Sequence, residues 1–240
     1  MEEQEPKEQE PKKLEETHPE LFGPESDTVL VACPTYSGHS SCIDEYLIAY
    51  KALRWPYKGL MLVDTTRDGG EYARSIYEKV EAVKGTVRRI EPSNDWEDTF
   101  NRAWNLISTH ALWNGYTWVF SLESDVIIPE LTLDTLLNVA SYIKAPFVTH
   151  TYPYHGGKPG YYQGLGCTLM KTELLDGALT YTYKRTPTVE GAIYDVAKRN
   201  SHAILHQLLD IKHHDGENRH WQFEKTTTDE VSIGIESWGG

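Results

Sequence analysis

Three short apolar runs, each closed by a polar loop, most constrain what this chain can fold into. They are Thr28-Val29-Leu30-Val31-Ala32-Cys33, Leu60-Met61-Leu62-Val63 and Thr117-Trp118-Val119-Phe120-Ser121-Leu122. Short runs of aliphatic, β-branched and aromatic residues bounded by turn signals are the pattern of strands buried on both faces. Between the first two, Ile43, Tyr46, Leu47, Tyr50 and Leu53 recur at helical spacing until Trp55-Pro56 stops them, with Ser40 or Ser41 as the expected cap. A second helix is expected from about Tyr72 to Val83, then a strand from Thr86 to Ile90. A third helix opens after Ser93-Asn94, carries Asp95, Glu97 and Asp98 in its first turn, and lines Trp96, Phe100, Ala103, Trp104, Ile107 and Ala111 along one face. Arg102 and Asn105 lie off that face. Strands alternating with helices imply βαβ units with right-handed crossovers, hence an α/β fold with a mostly parallel central sheet in a single domain.

Beyond Asp125 the pattern changes. Pro129 and Glu130 open a helix with Leu133, Leu136, Leu137, Ala140 and Ile143 on one side, and Ala145-Pro146-Phe147-Val148-Thr149 returns as a strand. Tyr152 to Gly166 is a Tyr- and Gly-rich loop, long enough to be a lid as well as an ordinary surface loop. A strand at Cys167 to Met170, a helix that follows Thr188-Val189-Glu190 and runs to about Arg199, and an extended run from Ala203 to Ile211 come next, the last ending at Lys212-His213-His214-Asp215. Residues 216–240 form a C-terminal extension without an assignment.

The formal charge of −13 is concentrated at the start: residues 1–27 hold ten acidic and three basic side chains, leaving 26 acidic and 20 basic in the remainder. Those first residues repeat Glu-Gln-Glu-Pro-Lys with few large apolar groups, the composition of a disordered acidic tail. The ordered part, residues 28–215, is only mildly acidic, which argues against broad non-specific nucleic-acid binding. Cys33, Cys42 and Cys167 have no metal-ligand spacing and cannot all pair, as befits a reducing, cytoplasmic setting. No stretch is a signal peptide or is long and apolar enough to span a membrane.

The third run stops at two carboxylates, Glu123 and Asp125, flanking Ser124. In open α/β sheets ligands bind outside the carboxyl ends of the strands. A carboxylate pair there either closes an acidic turn or holds a hard cation, and Mg²⁺ or Mn²⁺ so bound clamps a diphosphate.

The order of these segments resembles family 2 glycosyltransferases of the GT-A fold, a Rossmann-like sheet that binds a nucleotide-sugar and a divalent metal. Pro34-Thr35-Tyr36 stands where that family contacts the nucleotide, and Asp64 with Thr65-Thr66-Arg67-Asp68-Gly69 where it recognises base and ribose. Asn101-Arg102-Ala103-Trp104-Asn105, a helix, then Trp118 to Asp125, is similar to the family run of Ala-Arg-Asn, helix, strand and Asp-x-Asp. Gly166 to Leu175 looks like the glycine, strand and acceptor-side helix, and Val189-Glu190 has the spacing of the Glu-Asp pair. Two departures are that Glu123 replaces the first aspartate of the Asp-x-Asp motif and Val189 the first acid of the pair.

The resemblance implies sugar transfer from a nucleotide diphosphate-sugar, UDP-sugar favoured, to an acceptor hydroxyl. Pro34, Thr35, Tyr36, Asp64, Arg102, Glu123 and Ser124 would bind the donor. Mn²⁺ or Mg²⁺ would be held by Asp125 with His213 or His214, and Glu190 would be the catalytic base of an inverting reaction. Neighbouring strand positions face opposite ways, so one histidine at most points into a given site, and parity with Leu209 and Ile211 favours His213. The implied acceptor is a glycan, or a hydroxylated base flipped out of viral DNA against Tyr161 and Tyr162. Two rivals share the fold class. A nucleotidyltransferase usually has a basic, Gly-rich first loop, unlike Pro34-Thr35-Tyr36-Ser37-Gly38-His39, and a non-catalytic nucleotide-sugar module would bind without turnover.

Overall fold

The computed structural model describes residues 27–153, 161–162, 164–175, 191–193, 195, 202–205, 208–214, 220–221 and 233–236. In chain order the strands are β1 (Val29–Thr35), β2 (Lys58–Asp64), β3 (Thr86–Arg89), β4 (Trp118–Leu122), β5 (Val126–Ile127), β6 (Phe147–His150), β7 (Tyr152–Pro153), β8 (Tyr161–Tyr162), β9 (Cys167–Lys171), β10 (His202–Leu205), β11 (Lys212–His214), β12 (His220–Trp221) and β13 (Ile233–Glu236). The helices are α1 (Ile43–Ala52), α2 (Glu71–Ala82), α3 (Trp96–Trp113) and α4 (Thr132–Ile143), with a 3-10 turn at Ser37–His39.

Among the described residues the main sheet has eight strands, in the order β13-β10-β6-β9-β4-β1-β2-β3. β1 pairs parallel with β2 and β4, β2 with β3, and β6 with β10. β9 runs antiparallel between β4 and β6, and β13 antiparallel along β10. The parallel centre is the expected α/β arrangement. The direction of β9 has no signature in its own residues: it arises because the chain doubles back after β6 through the antiparallel β7–β8 ribbon.

Alternation along each strand divides the core between two faces. Val29, Val31 and Cys33 of β1 pack with Leu60 and Leu62 of β2 beneath α1, α2 and α4, through Tyr46, Tyr50, Ile76, Leu133 and Leu136. Leu30, Ala32, Met61, Val63 and Val119 face the other way, onto Ala103, Trp104, Ile107 and Ala111 of α3. Burial on both faces accounts for the unbroken apolar runs in these strands.

Helix ends depart from the sequence expectations in places. Neither Ser40 nor Ser41 caps α1, which starts at Ile43 after Cys42 with no side-chain cap, because the 3-10 turn already carries the chain into it. At α3 the cap is Asp95, whose side chain accepts from Glu97 N–H at 2.9 Å. At α2 the Asp68 carboxylate collects the N–H groups of Gly70, Glu71 and Tyr72 at 2.8, 3.1 and 2.7 Å. The run expected from Ala203 to Ile211 is divided: β10 ends at Leu205 in the main sheet and β11 begins at Lys212 in a second one, β12-β11-β5. No helix among the described residues is long and apolar enough to cross a membrane.

Candidate functional site

β4 stops at Leu122 because its partner β9 starts at Cys167, leaving Glu123 N–H to donate to the Gly166 carbonyl at 3.1 Å. A tight turn follows, Val126 N–H donating to Glu123 O at 2.9 Å, and delivers the chain into β5. β5 pairs antiparallel with β11, setting Val126 opposite His213, and His214 N–H closes the ladder on the Asp125 carbonyl at 2.7 Å. This short ladder brings a histidine 88 positions further along the chain against the carboxylate.

The ligand atoms of Glu123, Asp125 and His213 all lie within 4.8 Å of one another. Asp125 and His213 are buried and Glu123 is half-buried. His214 is buried too but stands outside this group, on the opposite side of its strand. His213 Nδ1–H donates to the Pro153 carbonyl at 2.7 Å, since a carbonyl can only accept. In the neutral ring Nε2 therefore keeps its lone pair, and it faces Asp125 Oδ2 at 3.4 Å. Two acceptors set face to face call for a proton or a cation between them, and a carboxylate, carboxylate and imidazole donor set can hold a divalent metal ion. Burial opposes a charge on His213, but the hydrogen bond and charge of Asp125, the Pro153 carbonyl and the Glu123 charge outweigh it and raise its pKa.

Tyr152 braces the site. Its hydroxyl donates to Glu123 Oε2 at 3.2 Å and accepts from Gly166 N–H at 3.2 Å, and its ring meets His213 edge-on at 5.2 Å. Gly166 is required by space alone: a Cβ there would stand 2.2 Å from the Tyr152 hydroxyl and 2.6 Å from Glu123 Oε2. Burial, then the charges of Glu123 and Asp125, push the neighbouring Cys33 thiol far above its ordinary value, so it stays protonated.

A cleft of about 470 Å³ opens beside this cluster. Its walls include Pro34, Thr35, Tyr36, Thr65, Thr66 and Arg67, together with Trp96 and Phe100 of α3 and with Glu123. Asp64 is not part of the lining. It is fully buried, Oδ1 accepts Thr66 N–H at 2.8 Å, and among the described residues Oδ2 has no hydrogen-bond partner. Ser124 is buried behind the wall, bonded to Thr35. Arg102 points away: it donates to the Glu91 carbonyl at 2.8 Å and stands 4.0 Å from Asp98 one turn earlier. Among the described residues the arginine at the cleft is Arg67, held to the Ser93 carbonyl. Glu190 lies outside the described residues, as do residues 154–160 of the Tyr-rich loop.

His39 is a site residue that sequence reasoning did not single out. Its ring lines the cleft and stands 2.7 Å from Ser124 Oγ and 3.3 Å from Asp125 Oδ2. Burial lowers its pKa, against the pull of Asp125 and with the repulsion of His213 and His214. The only sequence signal was a histidine in the loop after the first strand.

No protein-family model matches the chain, and no curated protein matches it in sequence. Solved structures do. Staphylococcus aureus TarS residues 1–349 in complex with UDP superposes with a TM-score of 0.56 at 15% identity, covering 74% of this chain and 57% of that one. The same TarS 1–349 without that ligand gives 0.55 at 16%, covering 74% and 58%. A further TarS crystal structure gives 0.56 at 16% identity, covering 75% and 35%. The chain thus spans little more than half the length of the two TarS 1–349 structures and about a third of the longer one, and what it shares with them is the GT-A fold.

Proposed function

We propose that the chain is a metal-dependent glycosyltransferase that moves a sugar from a nucleotide diphosphate-sugar to an acceptor hydroxyl. The observation that carries this is the group Glu123, Asp125 and His213, assembled at the carboxyl end of β4 against a cleft of nucleotide size. UDP-sugars are the favoured donors, in keeping with the UDP-bound neighbour of like fold.

The roles follow from the chemistry. Pro34, Thr35, Tyr36, Thr65 and Arg67 hold the nucleotide, with Trp96 and Phe100 offering apolar faces to the base. Glu123, Asp125 and His213 hold Mn²⁺ or Mg²⁺; when bound, the ion supplies charge neutralisation to the leaving diphosphate without a proton. Tyr152 keeps Glu123 aimed inward. We assign Glu190 as the base that takes the acceptor proton, which makes the reaction inverting. The acceptor is a glycan or a hydroxylated base in nucleic acid. A cytoplasmic setting accords with three buried, free cysteines, Cys33, Cys42 and Cys167.

The test incubates the protein with Mn²⁺, a panel of nucleotide-sugars and candidate acceptors. Sugar-dependent release of nucleoside diphosphate supports transfer. Release of pyrophosphate instead marks a nucleotidyltransferase, and binding without turnover a non-catalytic module. Product of retained anomeric configuration would remove Glu190 from its role.

A further inference from the structure

A chain of side chains from four separate segments ends on the Asp125 carboxylate. Tyr72 OH of α2 is 3.1 Å from Thr35 Oγ1 at the end of β1, which is 2.9 Å from Ser124 Oγ in the β4–β5 turn. Ser124 Oγ is 2.7 Å from His39 Nδ1, and His39 Nε2 is 3.3 Å from Asp125 Oδ2. Thr35 and Ser124 are buried, and the His39 ring is 17% exposed, on the cleft side.

The donors and acceptors resolve into one consistent direction. Asp125, when ionised, only accepts, so His39 Nε2 carries the hydrogen in a neutral ring and Nδ1 must accept. Ser124 then donates to Nδ1 and accepts from Thr35, and Thr35 accepts from Tyr72. Each hydroxyl in the run donates once and accepts at most once. The buried His150 is unlike this: its Nδ1 meets the Thr151 carbonyl at 2.6 Å and its Nε2 accepts Leu209 N–H at 3.1 Å, so both nitrogens are spent on backbone.

We infer that His39 is a positioning residue of the cation site: it donates Nε2–H to Asp125 Oδ2 and, anchored through Ser124, Thr35 and Tyr72, holds that carboxylate in the orientation that meets Glu123 and His213. The inference rests on the metal reading of the site. His39 is not itself a member of the ligand group. Two imidazoles meet the same oxygen of Asp125, His213 at 3.4 Å within that group and His39 at 3.3 Å from outside it. Outer partners of this kind set ligand orientation and are worth about 10- to 100-fold in metal affinity. His39 closes the turn that follows Pro34-Thr35-Tyr36, and the Tyr36 ring lies 4.3 Å from its own, so the brace on Asp125 belongs to the wall of the nucleotide cleft.

The experiment titrates Mn²⁺ into the full chain without substrate, following free Mn²⁺ by electron paramagnetic resonance, for wild type, His39→Ala, His39→Gln and Tyr72→Phe. Thermal unfolding and UDP binding in chelator are measured alongside. His39→Ala is expected to weaken Mn²⁺ binding about 10- to 100-fold, by far more than any change in UDP binding in chelator. His39→Gln, whose amide N–H reaches the same oxygen, is expected to recover most of the loss. Tyr72→Phe, which removes only the far end of the chain, is expected to weaken Mn²⁺ binding by about two- to fivefold. Wild-type Mn²⁺ affinity in His39→Ala overturns the inference, as does a loss that His39→Gln fails to restore or that UDP binding in chelator shares equally. If His39→Ala does not fold, His39→Gln and Tyr72→Phe decide: normal Mn²⁺ affinity in Tyr72→Phe overturns the chain. Wild-type protein that takes up no Mn²⁺ overturns the metal reading itself and this inference with it, a result distinct from all the others.

Discussion

Adding one methyl group at Gly166 should damage both the stability of the protein and its candidate metal site. In Gly166→Ala the new Cβ would lie 2.2 Å from the Tyr152 hydroxyl, 2.4 Å from its Cζ and 2.6 Å from Glu123 Oε2. Tyr152 is fully buried with its ring against His213, so it has nowhere to retreat. Gly166 is not among the glycines with positive φ, so the cost is steric rather than conformational. Overpacking of this kind costs about 1–3 kcal/mol. Displacing the Tyr152 hydroxyl also weakens its two hydrogen bonds, to Glu123 and Gly166, at about 0.5–1.5 kcal/mol each. The total of about 2–6 kcal/mol corresponds to a fall in Tm on the order of 10 °C for a chain of this size. Thermal unfolding in chelator measures the first effect, and a Mn²⁺ titration measures the displacement of Glu123 as weakened binding. In Tyr152→Phe/Gly166→Ala the nearest clashing atom is gone, so the double variant should be more stable than the sum of the two single losses. Strict additivity, or an unchanged Tm and Mn²⁺ affinity in Gly166→Ala, would refute the crowding argument.

Asp125→Asn should keep the fold, read by near-ultraviolet circular dichroism, but lower Mn²⁺ affinity by more than the roughly 100-fold that an outer partner is worth; retained binding would take Asp125 out of the ligand group. Mn²⁺ affinity should rise with pH, because the ion needs Nε2 of His213 deprotonated and the pKa of that ring is raised. For the metal-free protein the sign runs the other way: the His213–Asp125 contribution is present below the ordinary histidine value and is lost as pH rises through the raised one. Calorimetric titrations in two buffers of different ionisation heat should detect a proton released per Mn²⁺; affinity that is flat from about pH 6 to pH 9 contradicts this. Thr35→Val keeps the side-chain shape but removes the acceptor of the Tyr72 hydroxyl and the donor to Ser124 Oγ, and a loss of about 1–3 kcal/mol should appear as a lower denaturant midpoint at unchanged m. Glu190→Gln should abolish sugar transfer while leaving nucleotide and Mn²⁺ binding intact, and full turnover in that variant would end its role as base.

What local pattern encodes was legible in the amino-acid order. β1, β2 and β4 stand out because a strand covered on both faces has no polar positions to spare, and α3 because its apolar residues return every third or fourth place. Asp125 was visible for the same reason, as an acid stopping an apolar run. Side-chain alternation even favoured His213 over His214, since it depends only on parity. Side chains near the cleft were harder: loop residue Arg67 lines it and Arg102 of α3 does not, because which turn of a helix overhangs a cavity depends on how that helix crosses the sheet.

The remainder belongs to long-range pairing, whose partners carry no mark of one another in the sequence. The antiparallel course of β9, the β5–β11 ladder that seats His213 beside Asp125, and the turn that swings His39 onto the same carboxylate from 86 positions away exist only once the sheet has closed. Short-range periodicity is written by each segment's own burial, so the sequence by itself determined the strands, the helices and the acid at the strand end. A binding constellation is instead a set of distances between segments, and only the tertiary structure decided those.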